Sequence, residues 1–486
     1  MANHIPGQAA THSRSRFCSS SIPLFPPLSP RRLATMPKPQ RRRRHPLSPD
    51  QLPCGKRKRQ RAHDRCAVNG TPLPDDALAG IFARLPGGAD VVRCAAACAR
   101  WRRVVATRAA ALSRSLPPPG RFLRHLAVGV FHQEGDGPTA RTRSAAAVSS
   151  PQPRFLPVAS GSRLVGLHHS CIGTLFHGAG LSGGFFDCSR PVASRNGRLV
   201  LELQRQSHGD GVTFCVCNPM TGDAQVLPPL SGKDKPEDYG CALLTGDDLL
   251  PRRGAKSFRL LLIYNPRGFT ALRCYSSDTG RWGAEARSAV EVSTWELRRI
   301  GPAVVRRGVA FWPLDHGALG VRPAAADDPE QAAMDAHLLP YDVHHRWPEK
   351  RLLGVSPDDR LFFIYFGIRG GDYILMAKIS YFDIDGDDIR TGRKENSSFE
   401  EAVLMHQMKM TSQDGTLKLR WFGEKRGLVL FTMGGSGGHS GTFALNLREG
   451  TVEKLADGEG HSWRNFVGFE MDWATYLASL AHAEEN

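Results

Sequence analysis

The chain has 486 residues, 41% of them hydrophobic and 23% charged, with a formal net charge of +17; this suits one large folded domain plus a smaller module and excludes a wholly disordered or fibrous chain. No run reaches eighteen apolar residues, which excludes an ordinary membrane-spanning helix. The eleven cysteines form no CxxC pair, so neither a zinc ribbon nor a disulfide framework is expected, and the odd count fits free thiols in a reducing compartment.

The charge is concentrated at one end. Residues 1–66 hold fifteen Lys/Arg against two acids, a net of +13, and the remaining residues carry only +4. This tail is rich in Pro, Ser and Arg without sustained apolar periodicity, and reads as a disordered basic segment. Two clusters stand in it, Arg41, Arg42, Arg43 and Arg44, then Lys56, Arg57, Lys58, Arg59 and Arg61, separated by eleven residues. The pair resembles a bipartite nuclear-import signal, in which a flexible spacer lets two cationic clusters reach two acidic grooves. Residues 1–49 contain no Asp or Glu, which also suits an organelle transit peptide. Met36 is an alternative start that keeps both clusters, and a charge run that only solubilises the tail is the third reading. The expected location is nucleus and cytoplasm, with an organelle as the alternative.

From Leu73 the pattern changes. Pro74 can open a helix, since its φ is preset and it has no N–H to satisfy, and Asp75 and Asp76 follow where the helix dipole favours carboxylates. Leu78, Ile81, Phe82 and Leu85 fall at i, i+3, i+4 and i+7, an amphipathic stripe. Pro86-Gly87-Gly88 breaks it, and a second helix restarts near Asp90 with Val91, Val92, Cys94 and Cys98. Arg100-Trp101-Arg102-Arg103 closes the segment.

Leu-Pro-acid-acid, then Leu, Ile and Leu at helical spacing, a Pro-centred break and Cys-x-x-Trp resemble an F-box. The resemblance implies a three-helix module that docks onto the Skp adaptor of a cullin-based ubiquitin ligase. Its implied contacts are Leu73, Pro74, Asp76, Leu78, Ile81, Leu85, Val91, Cys98 and Trp101. A segment of roughly forty residues cannot bury all its apolar positions internally, so Leu73, Pro74, Leu78, Ile81 and Leu85 are expected partly exposed, as a partner surface. Ala97 departs from the pattern, where the family more often has Val, and Ala95, Ala96 and Ala99 make that helix small-faced.

A short apolar segment over 122–132 is expected to pack beneath the large domain, and 133–153 reads as a linker or mobile loop. From about Phe155 to Phe469 short β-type runs alternate with turns, among them 198–203, 212–217, 258–264, 271–275, 303–312, 361–366, 373–382, 427–433 and 442–447. A strand, a polar turn and a short outgoing strand recur at Cys217–Val226, Tyr275–Trp282 and Leu445–Glu453, and more weakly at 381–386. Such units suggest propeller blades. The layout resembles plant F-box proteins with a C-terminal F-box-associated, kelch-like propeller domain, a likeness carried by residues 189–201 and the Asn-Pro-x-Thr-Gly turn at 218–222. Trp473, Tyr476, Leu477 and Leu480 then form a single helical stripe that Asp472 can cap.

The fold expected is therefore multidomain: a basic tail over 1–66, an all-α F-box over 67–115, a connecting segment over 116–153, an all-β propeller-like domain over 154–471 and a C-terminal helix over 472–486. Catalytic look-alikes fail on their own chemistry. Gly434-Gly435-Ser436-Gly437-Gly438 matches the hydrolase elbow in text, but that elbow needs a strand-turn-helix and a strand follows here. Asp383, Asp385 and Asp387 imitate an EF-hand loop, yet Asp388 stands where Gly is needed and Lys394 where a bidentate Glu should be. Cys215 and Cys217 share a strand face without a second ligand pair nearby, and His168-His169 and His344-His345 have no partner nucleophile in view. No catalytic residue, metal or cofactor is expected. The expected function is substrate recognition in an SCF-type ligase, with the Skp adaptor, through it a cullin, and an unknown target protein as partners and no membrane. The alternative is a basic nuclear nucleic-acid-binding protein with a degenerate F-box; basic residues without interleaved aromatics argue against sequence reading by the tail, so nucleic acid is not an expected partner.

Overall fold

The first described elements are four short helices, α1 (Asp75–Phe82), α2 (Gly88–Ala97), α3 (Ala99–Thr107) and α4 (Ala109–Ser115). They belong to a computed structural model that describes residues 73–115, 128–133, 152–158, 170–176, 184–187, 189–203, 211–230, 236–249, 251–254, 256–266, 268–323, 334–340, 351–356, 359–369, 374–381, 401–406, 416–434, 440–447, 449–457 and 464–480. The nuclear-import clusters, Met36, residues 435–439, 383–388 and both histidine doublets lie outside the described residues.

Helix α1 begins directly after Pro74, with Asp75 and Asp76 in its first turn, and α2 starts from an extended Gly87 at the Pro-Gly break. Cys98 is extended too; its Sγ accepts the Trp101 N–H and caps α3. Three helices were expected here, and α4, with Ala109 and Leu112 buried, is a fourth. Its Ala-rich sequence carries no capping residue that would mark a start, and its burial comes from elsewhere in the chain.

Twenty-five strands follow among the described residues. Five sheets are each built from consecutive antiparallel strands. The first holds β4 (Arg190–Arg195), β5 (Arg198–Leu203), β6 (Thr213–Cys217) and β7 (Ala224–Val226). The second holds β8 (Tyr239–Thr245), β9 (Phe258–Tyr264), β10 (Ala271–Ser276), β11 (Arg281–Trp282) and β12 (Ala286–Arg287). The third is β13 (Val304–Arg306), β14 (Val309–Leu314), β15 (Gly317–Arg322) and β16 (Asp335–Pro340). The fourth is β17 (Arg351–Val355), β18 (Leu361–Arg369), β19 (Ile374–Tyr381) and β20 (Glu401–His406). The fifth is β21 (Thr416–Gly423), β22 (Leu428–Gly434), β23 (Gly441–Asn446) and β24 (Thr451–Asp457).

A sixth sheet joins the two ends of the β region in the order β25-β1-β2-β3, from β25 (Arg464–Glu470), β1 (Val128–Gln133), β2 (Arg154–Val158) and β3 (Ser170–Cys171). The short helix α5 (Ile172–Leu175) follows β3. The result is a propeller-like arrangement of five consecutive blades closed by a composite sheet. Of the 122–132 segment, expected beneath the domain, the described residues 128–132 belong to a strand of this closing sheet, with Phe131 opposite both Phe155 and Val467. Its β-branched and aromatic residues satisfy their backbone groups only by pairing on both sides.

Both faces of a blade are buried. Along β5, Leu199 and Leu201 point into one core and Val200 into the next; along β6, Cys215 and Cys217 share the first face, as period two requires. The expected single strand over 303–312 is two strands, β13 and β14, because Arg307 and Gly308 both take positive φ and turn the chain between them. The sequence repeat proves to be the hairpin from third to outermost strand, at β6–β7, β10–β11 and β23–β24.

The last helix, α7 (Trp473–Ser479), is capped by Asp472, whose carboxylate accepts the Thr475 N–H at 2.7 Å. It packs on α3 and α4, and the Trp473 ring lies so close to Gly88 that a Cβ there would meet it at 2.6 Å. Leu78, Phe82, Val91, Val104, Val105 and Leu112 of the helices form one core with Phe131, Leu199, Phe469, Tyr476 and Leu477. Within residues 75–486, helices and sheets thus share one interior.

Candidate functional site

Two places are candidates for a functional site, the outer surface of the first helices and a cavity among the inner strands. On the helices, α1 divides its stripe. Leu78, 4% exposed, and Phe82 face the core, where the Trp101 ring meets Phe82 edge-on at 5.5 Å. Ile81 is 45% exposed, Leu73 is 52% exposed, and Pro74 and Asp76 are exposed as well. Leu85, Cys98 and Trp101 are half-buried, and Val91 is fully buried. The expectation of a partly exposed Leu78 is thereby corrected, and Val91 sits beside it inside. Ala95 of α2 is buried in the same core, and the shared core with α7 supplies the burial that an isolated module of this size lacks.

Ion pairs tie the helices together on the outside. Asp75 accepts two bonds from Arg100, at 3.0 and 2.8 Å, and Asp76 pairs with Arg108. All four groups are well exposed, so these pairs orient more than they stabilise.

In the β domain a cavity of about 290 Å³ lies among the inner strands. The first residues of β4 and β8, Arg190 and Tyr239, line it, with Asn465 and Phe466 near the start of β25 and Arg298, Ile300, Gly301 and Pro302 leading into β13. Arg190 Nε donates to Glu202 Oε2 at 2.6 Å and Nη2 to the Tyr239 hydroxyl at 3.1 Å, while that hydroxyl donates to the same carboxylate. Burial pushes the Tyr239 phenol well up, and the Glu202 charge adds to it. Arg298 donates to Asp238 at 2.8 Å, and exposed Glu237 completes the rim.

The ends of the same strands meet in a buried polar cluster. Arg195 donates to both Asp248 oxygens, at 2.9 and 2.7 Å, to Glu424 at 2.8 Å and to the Val305 carbonyl at 3.1 Å. Burial opposes its charge, yet the two carboxylates hold the guanidinium above its ordinary range; the same attraction keeps Asp248 below its usual range despite burial. Asn196 bonds Thr245 and accepts from Lys425. Glu470 accepts the backbone N–H groups of Lys425 and Arg426, at 2.9 and 2.7 Å, and burial lifts its carboxyl to about 7, against the pull of those bonds and the Lys425 charge. This cluster pins the β21–β22 turn to the closing strand.

Sequence reading did not find the cavity residues. Arg190, Glu237, Tyr239 and Arg298 lie in turns and at strand starts without periodicity, and only ring closure gathers them. Cys94, Cys98, Cys171, Cys215, Cys217, Cys241 and Cys274 are free thiols, and no group of three metal-ligating side chains occurs among the described residues. No helix among the described residues is long and apolar enough to cross a membrane.

Comparison with protein-family models finds none that matches, and comparison with curated proteins finds no relative. Among solved structures the chain is similar to TolB from Acinetobacter baumannii at a TM-score of 0.40 and 9% identity, over 76% of this chain and 72% of that one. It is similar to Penicillium chrysogenum alpha-L-arabinanase at 0.28 and 13%, over 59% and 82%, and to a structure from a study of two prolyl endopeptidases at 0.28 and 11%, over 65% and 47%. Likenesses at this level carry no argument about activity.

Proposed function

We propose that this chain is a non-catalytic substrate-recognition subunit of an SCF-type ubiquitin ligase. The helices over 73–115 bind the Skp adaptor, and through it a cullin, while the β domain holds a target protein. The reading is supported by the ordered Leu-Pro-acid-acid…Cys-x-x-Trp pattern. The observation that carries it is the exposure of Ile81, a large apolar side chain on the outer side of a helix whose Leu78 and Phe82 are buried in the core. Large apolar side chains left in water beside a filled core mark a partner surface. The chain then acts by proximity, raising the effective concentration of target lysines near the charged conjugating enzyme. With basic clusters in its tail, it works in the nucleus and cytoplasm.

The test is a pull-down of the full chain with purified Skp adaptor, beside L73A/P74A and I81D. Each buried apolar anchor is worth about 1.5–3 kcal/mol, so either variant should weaken binding by at least about tenfold, with circular dichroism and melting unchanged. Undiminished binding by both variants removes these anchors; a folded wild-type chain that does not bind removes the ligase reading and leaves the basic tail, tested by salt-sensitive nucleic-acid binding.

A further inference from the structure

The geometry points to a target-docking site at the cavity rim, one that takes a short segment pairing an apolar side chain with a lysine or arginine side chain. It rests on the receptor reading above and supplies the chemistry of the target.

The apolar half is Trp295. It is 53% exposed and is the only aromatic among the large exposed hydrophobics of the described residues. It lies on the short helix α6 (Thr294–Leu297) in the approach to β13, and Arg298, one residue beyond that helix, lines the cavity. The Trp295 ring carries the Arg299 guanidinium at 4.4 Å, so aromatic and cation are presented together, the side-chain types that dominate binding hot spots. The segment is pre-organised: Ser293 and Glu296 form a reciprocal capping box, and Glu296 also accepts the Asp315 N–H from the β14–β15 turn. A surface fixed this firmly loses little entropy on binding.

The basic half follows from charge. Each arginine at the cavity is already committed to a carboxylate: Arg190 to Glu202, Arg195 to Asp248 and Glu424, and Arg298 to Asp238. Glu237, exposed on the rim, makes no hydrogen bond or ion pair among the described residues, and only the charge of Arg298 is felt across it. An incoming cation finds Glu237 and the second Asp238 oxygen open, whereas an incoming carboxylate meets arginines already paired. A volume of about 290 Å³ is at the lower limit of small-molecule sites, which run about 300–1,000 Å³, and suits one long side chain. The rim residues Arg190 and Tyr239 stand at the starts of β4 and β8, whereas α7 leaves from the end of β25, where Thr475 contacts the Asn196 carbonyl.

The test uses the full chain and acetylated, amidated glycine pentapeptides carrying Leu and Arg separated by one glycine or adjacent. Calorimetry should show saturable binding in the millimolar range or better. Replacing the peptide Arg by Glu, or the Leu by Gly, should cost at least about tenfold, as should W295A and E237Q, both at exposed positions where folding is undisturbed. The L73A/P74A variant should bind these peptides like wild type, so failure here and failure of adaptor docking are read separately. Equal affinity for the Glu peptide, indifference to both W295A and E237Q, or no saturable heat up to about 10 mM overturns the proposal.

Discussion

Glu470 shows how one side chain sets a property of the whole protein. Its carboxylate accepts two backbone N–H groups of the β21–β22 turn, and burial raises it to about 7 from an ordinary 4.5. The folded state therefore holds the proton more tightly than the unfolded state. The stabilisation is complete below about 4.5, declines as pH rises, and is lost by the time pH passes about 7. A shift of this size corresponds to ~3 kcal/mol. Melting temperature should fall between about pH 5 and 8, and E470Q should flatten that fall and melt higher than wild type at the upper end. Parallel pH profiles of the two proteins would show that Glu470 does not set the slope.

Among elements, α7 is the joint. Its cap and its stripe were both legible in the sequence, since Asp472, Trp473, Tyr476 and Leu477 lie within one local period. What they pack against was not, because α3, α4 and Gly88 are hundreds of residues earlier. The joint can be tested through the helices it covers. Leu477→Ala deletes a fully buried side chain and should cost about 2–5 kcal/mol, and Asp472→Ala about 1 kcal/mol through the lost cap. Amide hydrogen exchange over 99–115 should accelerate in Leu477→Ala. Unaltered protection there, with destabilisation confined to the sheets, would mean that the helices do not depend on α7.

For the whole molecule, closure is the decisive contact. β25, near the end of the β region, pairs in the closing sheet with β1 from its beginning. Without it, β1 loses its partner and the inner face of the ring opens beside β4 and β21, leaving unpaired strand edges that promote association. The full chain should unfold in urea as one cooperative β transition, and a chain ending at residue 463 should lose that transition and aggregate. A truncated chain that keeps the same midpoint would show that the five consecutive blades stand without closure.

Local order was readable because it is written in local terms. Pro74 before two acids starts α1, the Pro-Gly break ends its run, and strands such as 198–203 and 258–264 appear with the limits their apolar runs imply. The propeller-like class followed from repeated third-to-outer hairpins. Distant pairings were not readable, because hydrophobic burial is non-directional and many segments satisfy it equally. Val128–Gln133 could have packed anywhere apolar until β2 and β25 supplied its backbone partners, and Arg195 gives no hint that Asp248 and Glu424 will neutralise it. Residue order along the chain carries the helices and the blades. The burial of Leu78 and Val91, the acid-rimmed cavity and the exposed Trp295 exist only once the ring has closed, since each depends on which far-separated surfaces exclude water from one another.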